Sequence, residues 1–233
     1  MTNPSASATA SSKFDFATLA SVCAAAAAAT VIGMFATFVL TGIGQDPLQS
    51  FQLPGEYAAT LLRNPPVLKL AIGLDNGFVL FYSTMFLALG VVLSRERARR
   101  PLAIASIALL GATGALDLAE NMHFLSMLAA AERGVAIGVG EIGFQYWETL
   151  TKFHLSYLGL FLFGYALPRT SQKDKLLAFL CRWVQWPVGL AVHLAPATVA
   201  APLVLVRFSI FFAAALLVAA NYRRGADGSD EPA

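Results

Sequence analysis

Read from its N-terminus, the chain alternates long apolar stretches with short polar interruptions, and the stretches are too long for the core helices of a water-soluble domain. A bilayer core about 30 Å thick is crossed by about 20 residues of helix. Six stretches meet that length: residues 16–40, 67–93, 102–130, 144–167, 176–195 and 202–221. The first contains the run Ala24 to Ala29, small side chains that let a neighbouring helix approach closely where lipid supplies no hydrophobic drive. The fifth carries Arg182, Gln185, Pro187 and His193, so its alternative reading is an interfacial helix with Trp183 and Trp186 at headgroup depth. A short surface helix is expected over residues 56–63, ended by Asn64, Pro65 and Pro66. The pattern predicts an all-α, polytopic membrane bundle of six spans over residues 16–222, or five spans plus the interfacial helix. Residues 1–15 and 223–233 lack periodicity and read as disordered cytoplasmic tails. The first apolar run is too long for a cleaved leader and is expected to remain as a helix.

Composition agrees with that pattern and narrows it. Of 233 residues, 57% are hydrophobic and only 13% charged, about half the charged share of a globular domain, and mean hydropathy is +0.65. The formal net charge of +2 is dispersed along the chain, which excludes a nucleic-acid-binding surface. Cys23 and Cys181 both lie in apolar stretches and support neither a disulfide framework nor a zinc motif.

Charge in the short loops predicts orientation, because Lys and Arg accumulate on the cytoplasmic side. Arg95, Arg97, Arg99 and Arg100 face only Glu96, a net +3. Arg169, Lys173 and Lys175 against Asp174 leave +2, and Arg223 and Arg224 follow the last span. The connections 45–69 and 132–143 have no basic excess. Six spans with both termini cytoplasmic satisfy every loop, and the expected location is the bacterial cytoplasmic membrane.

Ionisable groups inside a span are costly and point to function or to a specific partner. The second span carries Asp75 and Asn76, with Tyr82 and Ser83 two turns further on; the third carries Asp117, Glu120, Asn121 and His123; the fourth carries Glu148, Thr149, Lys152 and His154. Spacings of three and four put Asp117, Glu120 and Asn121 on one face, with His123 pointing elsewhere. Lys152 can pair with Glu148 on its own helix or reach across to the third. At about 1.5 Å of rise per residue, Asp75, Glu120, Asp117 and Lys152 lie roughly 12 to 20 Å from the predicted outer end. His123, His154, His193 and Arg207 lie nearer that end, where Arg207, His193 and Glu148 could also snorkel. This convergence predicts a polar cavity open to the outside and closed toward the cytoplasm.

The segment Asp117-Leu-Ala-Glu120-Asn121 followed by Thr149-Leu-Thr-Lys152-Phe153 resembles a combination found in small polytopic membrane proteins of unassigned function, a likeness confined to the second to fourth spans. It implies no activity. Membrane metal hydrolases of the alkaline ceramidase and adiponectin-receptor type match poorly, because their paired His-x-x-x-His is missing.

Three functions follow from these residues. Asp75, Asp117 and Glu120 outnumber Lys152, so one carboxylate is expected to share a proton or await a cation, as a proton- or cation-coupled transporter of a small solute requires. The alternatives are an intramembrane lipid or isoprenoid enzyme using histidines and carboxylates, and a structural or assembly subunit whose polar network fixes helix register. A non-enzymatic role is favoured. The central expected site is Asp75, Asn76, Asp117, Glu120, Asn121 and Lys152, with His123, Glu148, His154 and Arg207 secondary. No cofactor and no metal are expected; were a metal bound, His123, His154 and His193 would be its ligands. Expected partners are membrane lipids, a small solute, proton or cation, and a second copy of the chain.

Overall fold

The computed structural model describes residues 15–223, and the predicted tails lie outside them apart from Asp15 and Arg223. All regular structure among the described residues is helical: α1 (Phe16–Thr41), a 3₁₀ turn (Asp46–Gln49), α2 (Pro54–Leu62), α3 (Pro65–Ser94), α4 (Arg100–Glu132), α5 (Val139–Ala166), α6 (Gln172–Phe179), a π-turn (Leu180–Val184), α7 (Gln185–Leu194) and α8 (Ala197–Asn221). Helix ends follow local chemistry. The Asp15 carboxylate accepts the Ala17 N–H at 2.9 Å to open α1, and α1 stops at Gly42, whose φ of 67° is left-handed and open to glycine at no steric cost. Asn64 caps α3 ahead of Pro65 and Pro66, which lack the N–H that a first turn leaves unused. Ser171 and Asp174 form a reciprocal capping box at α6.

Five helical segments are long and apolar enough to cross a membrane: Phe16–Thr41, Pro65–Ser94, Arg100–Glu132, Gln172–Leu194 and Pro202–Asn221. The protein is therefore compatible with a multi-pass membrane location. The predicted fourth span is not among the five, although α5 has 28 residues; Glu141, Glu148, Lys152 and His154 lower its mean hydropathy. The predicted fifth span is helical throughout but changes pitch in the middle. Pro187 cannot donate to the carbonyl four residues earlier and its ring crowds that carbonyl. The helix widens to a π-turn just before it, with the Gln185 N–H bonded back to Leu180. The surface helix expected over 56–63 begins two residues earlier, at Pro54.

The long helices close into a ring. α1 packs on α3, α3 on α4, α4 on α5, α5 on the π-turn and α7, α7 on α8, and α8 returns to α1. Small residues make the close approaches. Ala20, Ala24, Ala27 and Ala28 of α1 are buried, and Ser21 donates across to the Ala219 carbonyl of α8 at 2.7 Å. Ser106 of α4 donates to the Gly159 carbonyl of α5 at 2.9 Å.

Apolar packing falls into two cores. The larger joins α1, α3, α4, α5, α6 and α8 through residues such as Val79, Leu89, Leu110 and Phe163. The smaller joins Leu48 of the 3₁₀ turn and Tyr57 and Leu61 of α2 to Ile72, Phe124, Met127 and Ile142. Along α3, α4 and α5 the polar residues fall between these cores: Asp75 and Asn76 follow Ile72 and precede Phe78, and Asp117 to Asn121 separate Leu110 from Phe124.

Candidate functional site

The polar layer is built on helical register. Asp117, Glu120 and Asn121 share one face of α4, and Gln145, Thr149 and Lys152, spaced four and three apart, share one face of α5. Packing turns the two faces toward each other with Asp75 and Asn76 of α3 alongside. Lys152 Nζ donates to Asp117 Oδ1 at 2.6 Å and also to Glu120 Oε2. It therefore reaches across to α4 and does not pair with Glu148.

The three carboxylates differ in how completely they are bound. Glu120 accepts from Lys152 and from Gln49 Nε2 (3.2 Å) on one oxygen, and from Thr149 and Gln145 Nε2 (3.4 Å) on the other. Asp117 accepts from Lys152 and from the Tyr82 hydroxyl at 2.9 Å. Among the described residues Asp75 accepts only from Asn121 Nδ2, at 2.7 Å, and the same amide donates to Asn76 Oδ1 at 2.9 Å. Glu120, Asn121, Gln145 and Thr149 are 0% exposed and Lys152 is 4% exposed. Breaking such a buried ion pair from one side costs about 3 to 5 kcal/mol, and the bonds of this cluster cross between α3, α4 and α5.

The connection after α1 completes this site. Gln49 enters from the 3₁₀ turn, and the Tyr57 hydroxyl donates to Gln145 Oε1 at 3.3 Å, extending the chain of bonds to Glu120. Burial and the Glu120, Glu141 and Glu148 carboxylates push the Tyr57 hydroxyl above its ordinary range, so it stays protonated and donates. Leu48 and Tyr57 are fully buried and pack with Ile72, Phe124 and Ile142 at this end of the bundle. Gln145 and Thr149 were legible as the continuation of the Lys152 face. Gln49 sits in a connection with no periodic pattern, and Tyr57 sits on the short surface helix expected over 56–63, whose docking onto α5 was found only by folding.

The remaining charged residues do not join this network. His123 Nδ1 pairs with Glu148 at 2.7 Å and His123 Nε2 approaches Glu141 at 3.7 Å, a separate contact between α4 and α5. Glu148 is thus held by a partner on α4. His154 Nδ1 bonds to the Leu150 carbonyl of its own helix at 2.7 Å. Among the described residues, no group of three or more His, Cys, Asp and Glu side chains is arranged to hold a metal ion. Arg182, in the π-turn, donates to the Gly164 carbonyl from Nε at 2.7 Å and lies over the Tyr165 ring.

Arg207 departs most from expectation. It was placed near a helix end where it could snorkel, yet it is 6% exposed. Its Nη2 comes no nearer than 3.7 Å to Asp46 Oδ1, and its guanidinium lies 4.2 Å from the centre of the Phe153 ring. Lys152 Nζ lies 4.9 Å from the centre of that same ring, so Phe153 links the two cationic regions. A cation–π contact contributes about 0.5 to 2 kcal/mol, less than the several kcal/mol that desolvating a charge costs.

No protein-family model, no curated protein and no solved structure matches this chain. The reading of the site therefore stands on its geometry.

Proposed function

We propose that the protein is a six-span membrane transporter in which Asp75 carries a proton or small cation coupled to movement of a small solute. One observation carries this reading: of three neighbouring buried carboxylates, two bond to a single ammonium, and among the described residues the third, Asp75, is bound by one amide N–H. Glu120 and Asp117 take the Lys152 charge between them. Asp75 stands outside that pairing, as a group whose charge a proton or cation can balance. Its place beside the Lys152 network gives it a rigid surround, and Asn121 Nδ2 gives it a donor that a bound cation or proton can replace.

The sixth span in this reading is α5. Its polar residues Gln145, Thr149 and Lys152 are buried, while Phe144, Trp147, Leu158 and Tyr165 are exposed. Glu141, Thr151 and His154 are exposed as well, and a lipid-facing position suits the Phe144, Trp147, Leu158 and Tyr165 part of that face. With α5 spanning, the basic loops at 95–100 and 169–175 and Arg223 share one side, the cytoplasmic one.

Currents recorded on a solid-supported membrane, with proteoliposomes exposed to jumps of pH, Na⁺ and a panel of small solutes, test the proposal. Charge movement is expected in the natural protein and is lost in Asp75→Asn. Folded natural protein that moves no charge under any jump overturns it.

A second reading is supported by the continuous bonding from Tyr57 through Gln145 and Thr149 to Glu120 and Lys152: a structural subunit whose network locks helix register. Lys152→Met combined with Asp117→Asn and Glu120→Gln removes every charge of the lock. A triple variant that is stable and retains charge movement assigns the network to structure alone.

A further inference from the structure

Where α5, α7 and α8 meet, three buried polar atoms have no hydrogen-bond partner among the described residues: Arg207 Nη1, the Tyr157 hydroxyl and His193 Nε2. Arg207 is 6% exposed and Tyr157 is 5% exposed. Such groups are ordinarily satisfied, and a guanidinium has five N–H donors to place. The three residues are neighbours. Arg207 acts electrostatically on both Tyr157 and His193, and its guanidinium stands close to the Tyr157 hydroxyl, short of a formed hydrogen bond; Phe153 neighbours all three, with its ring centre 4.2 Å from the Arg207 guanidinium, 5.2 Å from the His193 ring and 6.2 Å from the Tyr157 ring.

The backbone is shaped to admit this arrangement. A Cβ at Gly189 of α7 would collide with Cζ and the hydroxyl of Tyr157, so the missing side chain is what lets the phenol lie against α7. Asp46 does not satisfy Arg207. Its carboxylate is half-exposed, stands on the Nη2 side, and at 3.7 Å is beyond hydrogen-bonding distance.

We infer that Arg207, Tyr157 and His193 form a binding site for an oxyanion, a carboxylate or phosphate group carried by a solute or by a lipid headgroup. A planar or tetrahedral oxyanion can take the Arg207 Nη1 proton on one oxygen and the Tyr157 and His193 protons on another, which gives each unpartnered atom a charge-assisted bond. Phe153 supplies an apolar floor. The site has the opposite charge to the carboxylate cluster and meets it at Phe153, and it stands whether or not Asp75 couples transport.

The test uses the full chain in neutral detergent, with thermal unfolding followed against sodium acetate and sodium phosphate at constant ionic strength set by chloride. In a parallel arm, native mass spectrometry counts bound phosphatidylglycerol against phosphatidylcholine. A saturable rise in Tm with acetate or phosphate identifies a water-borne ligand. Selective retention of phosphatidylglycerol alone identifies a lipid headgroup. In either case Tyr157→Phe is expected to weaken binding about tenfold, the worth of one such bond. Arg207→Gln is expected to weaken it further, and Lys69→Gln leaves it unchanged. No saturable response in either arm, or binding equal in natural protein and Tyr157→Phe, means that water alone serves these atoms and overturns the site. Should Arg207→Gln fail to fold, Tyr157→Phe decides, since it removes only an unpartnered hydroxyl.

Discussion

Helix α5 borders two polar regions that differ in how their charged groups are bonded: on one side the ammonium and Glu120 are fully partnered, with Asn121 Oδ1 and Ser83 Oγ left over, and on the other, among the described residues, the cation itself lacks an acceptor. Lys152 faces α4, where its ammonium bonds to Asp117 and Glu120 and each Glu120 oxygen takes two donors. Tyr157 faces α7 and α8, where its hydroxyl, Arg207 Nη1 and His193 Nε2 are unpartnered. Both regions are buried and both hold a cation against Phe153. Burial and charge alone therefore do not separate a lock from a binding site. The completeness of hydrogen bonding does, because a closed network resists change while an open one leaves energy to be gained from a ligand.

The comparison breaks most visibly at Lys152. Lys152→Met leaves Asp117 and Glu120 buried without their cation and is expected to cost about 3 to 5 kcal/mol, read as a fall in the thermal or denaturant midpoint in detergent. Adding Asp117→Asn and Glu120→Gln should restore much of the loss. A single Lys152→Met variant as stable as the natural protein would show that the network does not hold the bundle.

One chemical change made on each side sharpens the contrast. Tyr82→Phe deletes a hydroxyl that donates to Asp117 at 2.9 Å and should cost about 1.5 to 3 kcal/mol, the range for bonds to charged groups. Tyr157→Phe deletes a hydroxyl with no partner and should change stability by no more than about 0.5 kcal/mol. Equal costs for the two would erase the distinction between the regions.

The fit of Tyr157 against α7 is tested by Gly189→Ala. Alanine is the better helix former by about 1 kcal/mol, yet its Cβ would meet the Tyr157 ring, so overpacking should outweigh propensity and leave a net loss of about 1 kcal/mol. A gain in stability would mean that Tyr157 turns aside freely. The smallest effect is expected at the exposed pair of Lys69 and Glu132, 2.8 Å apart. There Lys69→Gln should cost less than about 1 kcal/mol and lose even that in high salt.

Much of the carboxylate cluster was legible before folding. Asp117, Glu120 and Asn121 are spaced to share a face, and a lysine in the next apolar stretch has few other places to find an anion. Gln145 and Thr149 extend that face by the same periodicity and could have been added to it. The Arg207 region was not legible in this way. Tyr157, His193 and Arg207 come from three helices, none has a local partner in register, and Arg207 lies close enough to a predicted helix end for water to be the simpler expectation. Gly189, without which Tyr157 could not approach α7, carries no signal of its own.

The sequence by itself determined the helical, membrane-compatible class, the positions of the long helices to within a few residues and the faces on which the charges fall. These follow from hydropathy, capping and the 3.6-residue repeat, all of which act over a turn or a span. Only the tertiary structure decided that Lys152 reaches across to α4, that the connection after α1 folds down to supply Gln49 and Tyr57, and that Asp75 and Arg207 are left incompletely bound. The reason is geometric. A helix's periodicity defines its faces but not its rotation, tilt or neighbour, and those are set by packing around the closed ring of helices, to which residues far apart in the chain contribute together.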